Sequence, residues 1–426
     1  SRAELYVKKG DNSGGSTAIA YYKKALEEDP ECLEALIGAA DSANAYDWAE
    51  QPDAKDYDDQ EWLNLIEILT QIGTLLATPD EEQQEEIADN VDFVLYYAEG
   101  GGYDLETAIS DGNPEGLDLM AELTGCFAKY DEANQALNGK ASMSSEKEYR
   151  YEDVLRTLND SGQFPDIEKA LLSQALAEFP ENTYFSDRQA QINNDTLAQL
   201  DASVDEALAA GDTAKAYEIC ASMQAVDEGY YNDTKAKIDD QVLTATENAI
   251  NDALNQGNVQ GAYDLCATME SVNGDRFAAA KANIQNFENT QNFLNSLNAL
   301  MDARDYEGMK NTIQSDTTYA GNTYYLVDGI YKTSVESGTG LIYDSNGIYY
   351  GAIENNTRKG QGSQFRLYSN GYYVFLEGSW DGQANGECIK IDWTSDGEQY
   401  TVSGNFTDGY ENGTMTISWR SEEHTS

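Results

Sequence analysis

The chain has 426 residues, 40% of them hydrophobic, with 77 acidic against 26 basic side chains and a formal net charge of −51. That length allows two or three ordinary domains, and no apolar run reaches the roughly 20 residues of a membrane span; the most apolar stretch, 62–77, is interrupted by Asn64, Glu67 and Gln71. A surface this negative repels phosphate backbones and anionic lipid, which disfavours nucleic acid and direct anionic-membrane binding and favours cations or basic protein partners.

The chain opens without Met and without a basic-then-apolar leader, so no secretory signal is read at this end. After a helical segment at 2–10, Ala18, Tyr22, Ala25 and Leu26 recur at helical spacing and Pro30 punctuates the turn. In 31–45 that follows, Ala35, Leu36, Gly38 and Ala39 form a close-packing face. An acidic, irregular segment over 45–60 reads as a long loop. Further amphipathic helices are expected near 61–77, 80–98, 103–110, 114–137, 146–160, 166–179 and 184–200, broken at Pro79, the Gly100-Gly101-Gly102 run, Pro114, Pro165 and Pro180.

The stretch from Ala18 to Pro30 resembles the second helix of a tetratricopeptide repeat. That resemblance implies an array of helix pairs that presents a protein-binding surface over 1–200. A second, internal repeat follows over 201–317. Ala207, Leu208, Gly211, Ala216, Tyr217, Cys220 and Met223 recur as Ala253, Leu254, Gly257, Ala262, Tyr263, Cys266 and Met269 at a constant 46 residues. A looser third copy starts at Ala299-Leu300-Met301. Each copy reads as helix, glycine turn, helix. The period exceeds the about 34 residues of the tetratricopeptide family.

Near Thr317 the helical spacing gives way to period two, and Gly and Tyr become frequent. Gly338-Thr-Gly340 is echoed at Gly360-Gln-Gly362, with looser echoes from Gly386 and Gly413. Asn346-Gly347, Asn370-Gly371 and Asp396-Gly397 are the dipeptides favoured by type I′ hairpin turns. Tyr349-Tyr350-Gly351 with Gly360 and Gly362, Gly378-Ser-Trp380 with Gly386, and Gly404-Asn-Phe406 with Gly413 resemble MORN repeats. The resemblance implies stacked antiparallel hairpins over 318–419. The expected fold class is therefore α+β and multidomain: an α-solenoid of helix pairs followed by an elongated antiparallel β-hairpin repeat domain.

Residues 420–426 read as the translation of a sequencing-library adapter and are set apart as a non-native tail. With them goes His424, the single histidine. Ser-His-Asp and Cys-His nucleophiles and histidine metal sites are then excluded. There is no GxxxxGK[ST] phosphate loop. Cys32, Cys126, Cys220, Cys266 and Cys388 are scattered without a CxxC and read as small core residues. Asp111 to Glu122 approaches a calcium loop, but Pro114 stiffens it, and Asn113 as helix cap with Pro114 in the first turn is the plainer reading.

No catalytic, cofactor-binding or metal-binding residue is therefore expected. The aromatics Tyr349, Tyr350, Tyr372, Tyr373, Trp380 and Trp393, with Tyr400 and Trp419, form the candidate contact surface. They read first as hairpin core and second as a stacking platform for sugars. The expected function is a non-catalytic scaffold with protein partners. The alternative is binding of cell-wall or surface glycan by the exposed aromatics. Few lysines and many Asn, Asp, Gly and Tyr suit an exported or envelope protein of a bacterium.

Overall fold

A computed structural model describes residues 1–42, 57–75, 78–98 and 105–420. The glycine run, most of the acidic loop 45–60 and residues 421–426, His424 included, lie outside these. The architecture is α+β: a helical array, then an open antiparallel sheet. It divides into two compact units, Ser1–Ala198 and Gln199–Ser426.

In the first unit, α1 (Arg2–Asp11), α2 (Gly15–Glu28) and α3 (Leu33–Asp41) meet through small residues. Ser1 and Glu4 close α1 with reciprocal caps. The Tyr22 ring of α2 fills space left by two glycines: a Cβ on Gly10 or Gly38 would stand 2.4 or 2.5 Å from it. Its hydroxyl donates to Asp11 Oδ1 at 3.0 Å. Helices α4 (Tyr57–Thr74), α5 (Glu81–Ala98), α6 (Leu105–Ser110), α7 (Leu119–Leu137), α8 (Ser144–Ser161) and α9 (Pro165–Glu178) continue the same core, with Leu69, Val91, Phe127, Leu155 and Leu172 buried. Lys147 is buried too, held by Asp131 at 2.8 Å and Glu178 at 2.7 Å.

Helix α7 starts later than the sequence pattern places it. Asn113 takes a left-handed φ of 56°. Its carboxamide clasps Leu117, accepting from the backbone N–H at 2.9 Å and donating to the carbonyl at 2.8 Å. The cap of α7 is Asp118, which accepts from Ala121 N at 3.2 Å. One of the calcium-like oxygen donors, Asn113 Oδ1, is thus occupied by backbone.

Helix α10 (Thr183–Ala209) carries the chain into the second unit, where long and short helices alternate: α11 (Thr213–Met223), α12 (Glu228–Asn255), α13 (Val259–Ala267), α14 (Gly274–Ala303) and α15 (Tyr306–Ser315). The turn between long and short helix is the same three times. Asp212 N, Asn258 N and Asp305 N donate to Ala207 O, Ala253 O and Leu300 O at 2.9, 2.8 and 3.0 Å. Each of these three side chains then caps the short helix. Gly211 and Gly257 occupy the left-handed position with φ of 75° and 79°; in the third copy Arg304 holds it at 52°. The third copy is therefore offset by 47 residues rather than 46, with buried Met309 in the place of Ala216 and Ala262.

Ten strands form one sheet: β1 (Tyr324–Val327), β2 (Ile330–Lys332), β3 (Ser337–Asp344), β4 (Gly347–Glu354), β5 (Thr357–Leu367), β6 (Tyr373–Asp381), β7 (Gln383–Trp393), β8 (Gln399–Thr407), β9 (Tyr410–Glu411) and β10 (Thr416–Trp419). Their order is β10-β8-β7-β6-β5-β4-β3-β1-β2, with β9 on β8, and every pair is antiparallel. The type I′ assignments move. At Asn346-Gly347, Asn370-Gly371 and Asp396-Gly397 only the glycine has positive φ, whereas Asp328-Gly329, Asn355-Asn356 and Asp408-Gly409 have it at both residues. Asp344 and Asn370 each accept from the backbone N–H two residues on, an Asx turn that holds the residue before the strand without a left-handed pair.

One face of the sheet packs on helices. Leu326, Leu341, Tyr343, Ile348, Phe365, Phe375 and Ile391 bury themselves against Leu294, Leu297 and Met301 of α14 and Met309 of α15. This packing places the central helices and the sheet in one compact unit. The opposite face has a core drawn from strands and their flanks alone, including Ile342, Tyr349, Ile353, Val374, Leu376, Trp380, Cys388 and Phe406. Across it runs a row set by register: Gly340, Gly351, Gly362, Gly378, Cys388 and Gly404 are successive cross-strand partners. With no Cβ at Gly351 and Gly362 of that row, Tyr349 and Trp380 lie down on the backbone. Tyr349 Oη donates to Ala352 O at 2.9 Å, and Trp380 Nε1 donates to Gly362 O at 3.0 Å.

Candidate functional site

Strand alternation sends neighbouring side chains to opposite faces, so the six candidate aromatics cannot form one surface. Tyr373 and Trp393 point to the helix side. Their rings are 4.8 Å apart, and the Tyr373 hydroxyl donates to Glu307 Oε1 at 2.8 Å. Tyr350 shares that side, by alternation from Ile348, and is 38% exposed. Tyr349 and Trp380 face the other way but are 0% and 4% exposed, packed edge to face at 5.3 Å. Tyr372, on the same open face, is 40% exposed. Two of the six are therefore accessible, and on opposite faces.

The open face holds a groove of about 480 Å³. Its floor is apolar: Val374, Leu376, Trp380 and Phe406. Its polar rim comes from the end of β5, from Gln383 and Lys390 of β7 and from β9. Gln364, Arg366 and Tyr368 point into it because Phe365 and Leu367 are committed to the helix side. Tyr410, 78% exposed, stands with Glu411 on the far wall.

The charges on this rim are not equivalent. Lys390 is held by Asp392 at 3.3 Å and by Glu411. Burial pulls its ammonium down, and the two carboxylates more than reverse that, so it titrates above its ordinary value. Asp392 also accepts from the Tyr372 hydroxyl and from Trp393 N at 2.8 Å. Burial raises the Tyr372 phenol above its ordinary value, and the Asp392 carboxylate raises it further. Arg366 differs. Its guanidinium sits over the Tyr368 ring at 5.2 Å, and among the described residues no carboxylate forms a salt bridge with it. Tyr368 in turn lies 5.6 Å from the Tyr372 ring.

Trp380 is the one candidate aromatic lining this groove among the described residues; Arg366, Tyr368 and Tyr410, on its rim, fall outside the candidate set drawn from sequence. The signal for Arg366 and Tyr368 is present in the strand: Gln364, Arg366 and Tyr368 alternate with Phe365 and Leu367, one polar face beside one apolar face. Tyr410 carries no such signal, because two-residue β9 is too short to show a period.

The first unit has a separate hollow of about 430 Å³ beside Tyr22, with Asp11, Glu34, Asp41 and Glu86 among its walls. Burial raises the Glu86 carboxyl above its ordinary value, and Asp41, Glu82 and Asp11 raise it further. Among the described residues no lysine or arginine lines it.

No group of three or more His, Cys, Asp or Glu placed to hold a metal ion occurs among the described residues. No family model matches the chain, and comparison with curated proteins and with solved structures finds no match.

Proposed function

We propose that this chain is a non-catalytic scaffold that holds protein partners on its helical pairs, with the sheet as a second docking element. The observation that carries this reading is the thrice-repeated long-to-short helix turn, with the same backbone hydrogen bond and the same cap at Asp212, Asn258 and Asp305. Stacked pairs of this kind lay out extended surfaces rather than enclosed chambers. The resemblance to tetratricopeptide repeats draws further support from Tyr22 seated between Gly10 and Gly38. The resemblance to MORN repeats draws it from the glycine row of the sheet. The acid-walled hollow at Asp11 and Asp41 favours a basic partner segment over an acidic one.

The test is affinity capture on the immobilised full chain, followed by measurement of Kd with each purified partner. A stoichiometric partner, weakened by charge-neutralising changes at Asp11 and Asp41, is the expected result. Recovery of no partner, with the chain monomeric in light scattering, removes the reading.

A second reading, glycan binding, is favoured by one observation: Tyr368 and Tyr372 are exposed along the open face of the sheet, and exposed Tyr410 lines the edge of its groove. Amphipathic rings beside polar groups suit the alternating apolar and hydroxyl faces of sugars. Cosedimentation of the full chain with insoluble peptidoglycan, lost on Tyr410→Ala, is the corresponding test.

A further inference from the structure

We infer that the groove on the open sheet face binds acidic saccharides, with a sugar carboxylate paired to Arg366. The inference rests on the glycan reading above and narrows it to a ligand class. Its starting point is an imbalance of charge. Among the groove's two cations, Lys390 is already neutralised by Asp392 and Glu411. Arg366 has the Tyr368 ring beneath it and no acidic partner among the described residues. In a chain of net charge −51, a half-buried guanidinium without an acidic partner leaves a positive point in a negative field. A guanidinium is a planar fork of donors that matches a carboxylate in two parallel hydrogen bonds.

The rest of the groove says what carries the carboxylate. Tyr368 and Tyr410 stand at its margin, Trp380 and Phe406 form an apolar floor, and Gln383 carries a donor and an acceptor suited to hydroxyls. That combination fits a pyranose ring bearing a carboxylate, a uronic acid, better than a peptide terminus. A terminal carboxylate is commonly captured by converging backbone N–H groups, whereas here the cation is one side chain. The long-range repulsion of the acidic surface is damped beyond about 8 Å at 0.15 M salt, so the ligand sees chiefly the groove.

The experiment titrates the full chain with trigalacturonic acid, with neutral galactotriose, and with a short peptide ending in a free carboxylate, at 150 mM salt. Arg366→Gln and Tyr410→Ala are run beside the parent, with near-ultraviolet circular dichroism to check that each variant keeps its packing. The expected result is that the acid trisaccharide binds and the neutral one binds about tenfold or more weakly. Arg366→Gln should remove that difference, the usual size for loss of a charge-assisted pair. Tyr410→Ala should weaken both sugars.

Equal binding of both trisaccharides, unchanged by Arg366→Gln, overturns the acidic specificity while leaving glycan binding standing. Preferential binding of the peptide, or binding of neither sugar, overturns the proposal. Parallel cosedimentation with peptidoglycan then shows whether the wider glycan reading falls with it.

Discussion

The Tyr349 ring occupies the volume that a side chain on Gly362 would need: a Cβ there would lie 2.4 Å from the phenol oxygen. The two residues are one strand apart on the open face, and the same hydroxyl reaches Ala352 O at 2.9 Å. Gly362→Ala therefore forces a fully buried aromatic off its seat. A loss of about 1–3 kcal/mol is expected, read as a lower midpoint in urea. Because one contact causes it, the double variant with Tyr349→Ala should be less destabilised than the two single losses added together. Additive losses would show that the ring and the glycine do not compete for space.

The repeat turns provide a controlled pair. Gly211 and Gly257 share the left-handed backbone, but a Cβ at Gly211 meets nothing within 4 Å, whereas one at Gly257 lies 2.8 Å from Ile330 Cδ1. Gly211→Ala is expected to cost about 1–2 kcal/mol from backbone alone. Gly257→Ala should cost more, since the Ile330 side chain must also give way. Thermal melts of both variants check the order, and a reversed order would disprove the assigned contact with β2.

Glu146 gives the first unit a signed pH dependence. Burial raises its carboxyl above the ordinary value, and the Asp92 and Asp89 charges add to it. Its Oε2 is buried without a hydrogen-bond partner among the described residues. The folded state therefore binds this proton more tightly than the unfolded chain does. The stabilising contribution is full below the unfolded carboxylate pKa and is lost as pH rises through the raised folded value. Glu146→Gln should raise the melting temperature at pH 7, with the gain shrinking as pH falls through that window. A gain that is constant with pH would assign the effect to packing.

All five cysteines are buried thiols. Burial raises the thiols of Cys32, Cys220, Cys266 and Cys388, which keeps the reactive thiolate scarce. A thiol reagent at pH 8 should react slowly with the native chain and count five equivalents once guanidinium unfolds it. Fast reaction in the native state would contradict the burial.

The sheet should not fold without its helices. A piece covering 318–419 would expose Leu326, Leu341, Tyr343, Ile348, Phe365, Phe375 and Ile391 to water, each worth about 1.5–3 kcal/mol when buried. That piece is expected to lack a cooperative melt, whereas 199–420 should show one. Calorimetry on the two distinguishes them.

Much of the helical unit was legible from periodicity. The expected 146–160 and 166–179 lie within two residues of Ser144–Ser161 and Pro165–Glu178, because Gly162 and Pro165 punctuate them. The 46-residue offset was legible because identical turns need identical residues. In the third copy Arg304 takes the left-handed position without a glycine, so that match looks loose in sequence and close in structure. The sheet was harder. Gly340, Gly351, Gly362 and Gly378 are visible one by one, but only strand register lines them into a row. The aromatics were harder still: which member of Tyr372-Tyr373 is covered depends on α14 and α15, far away in sequence. For the same reason Arg366 escaped notice, since its lack of an acidic partner is a property of its neighbours.

Because the sheet seals the flank of α14 and α15, it occupies the position where a fourth helix pair would otherwise stack. Lengthening the array at that point would strand both apolar layers in solvent. A longer or shorter relative of this chain is therefore expected to gain or lose whole cassettes of 46 residues ahead of Gly274, each joined turn to turn. The junction with the sheet would pass unchanged from one length to the next.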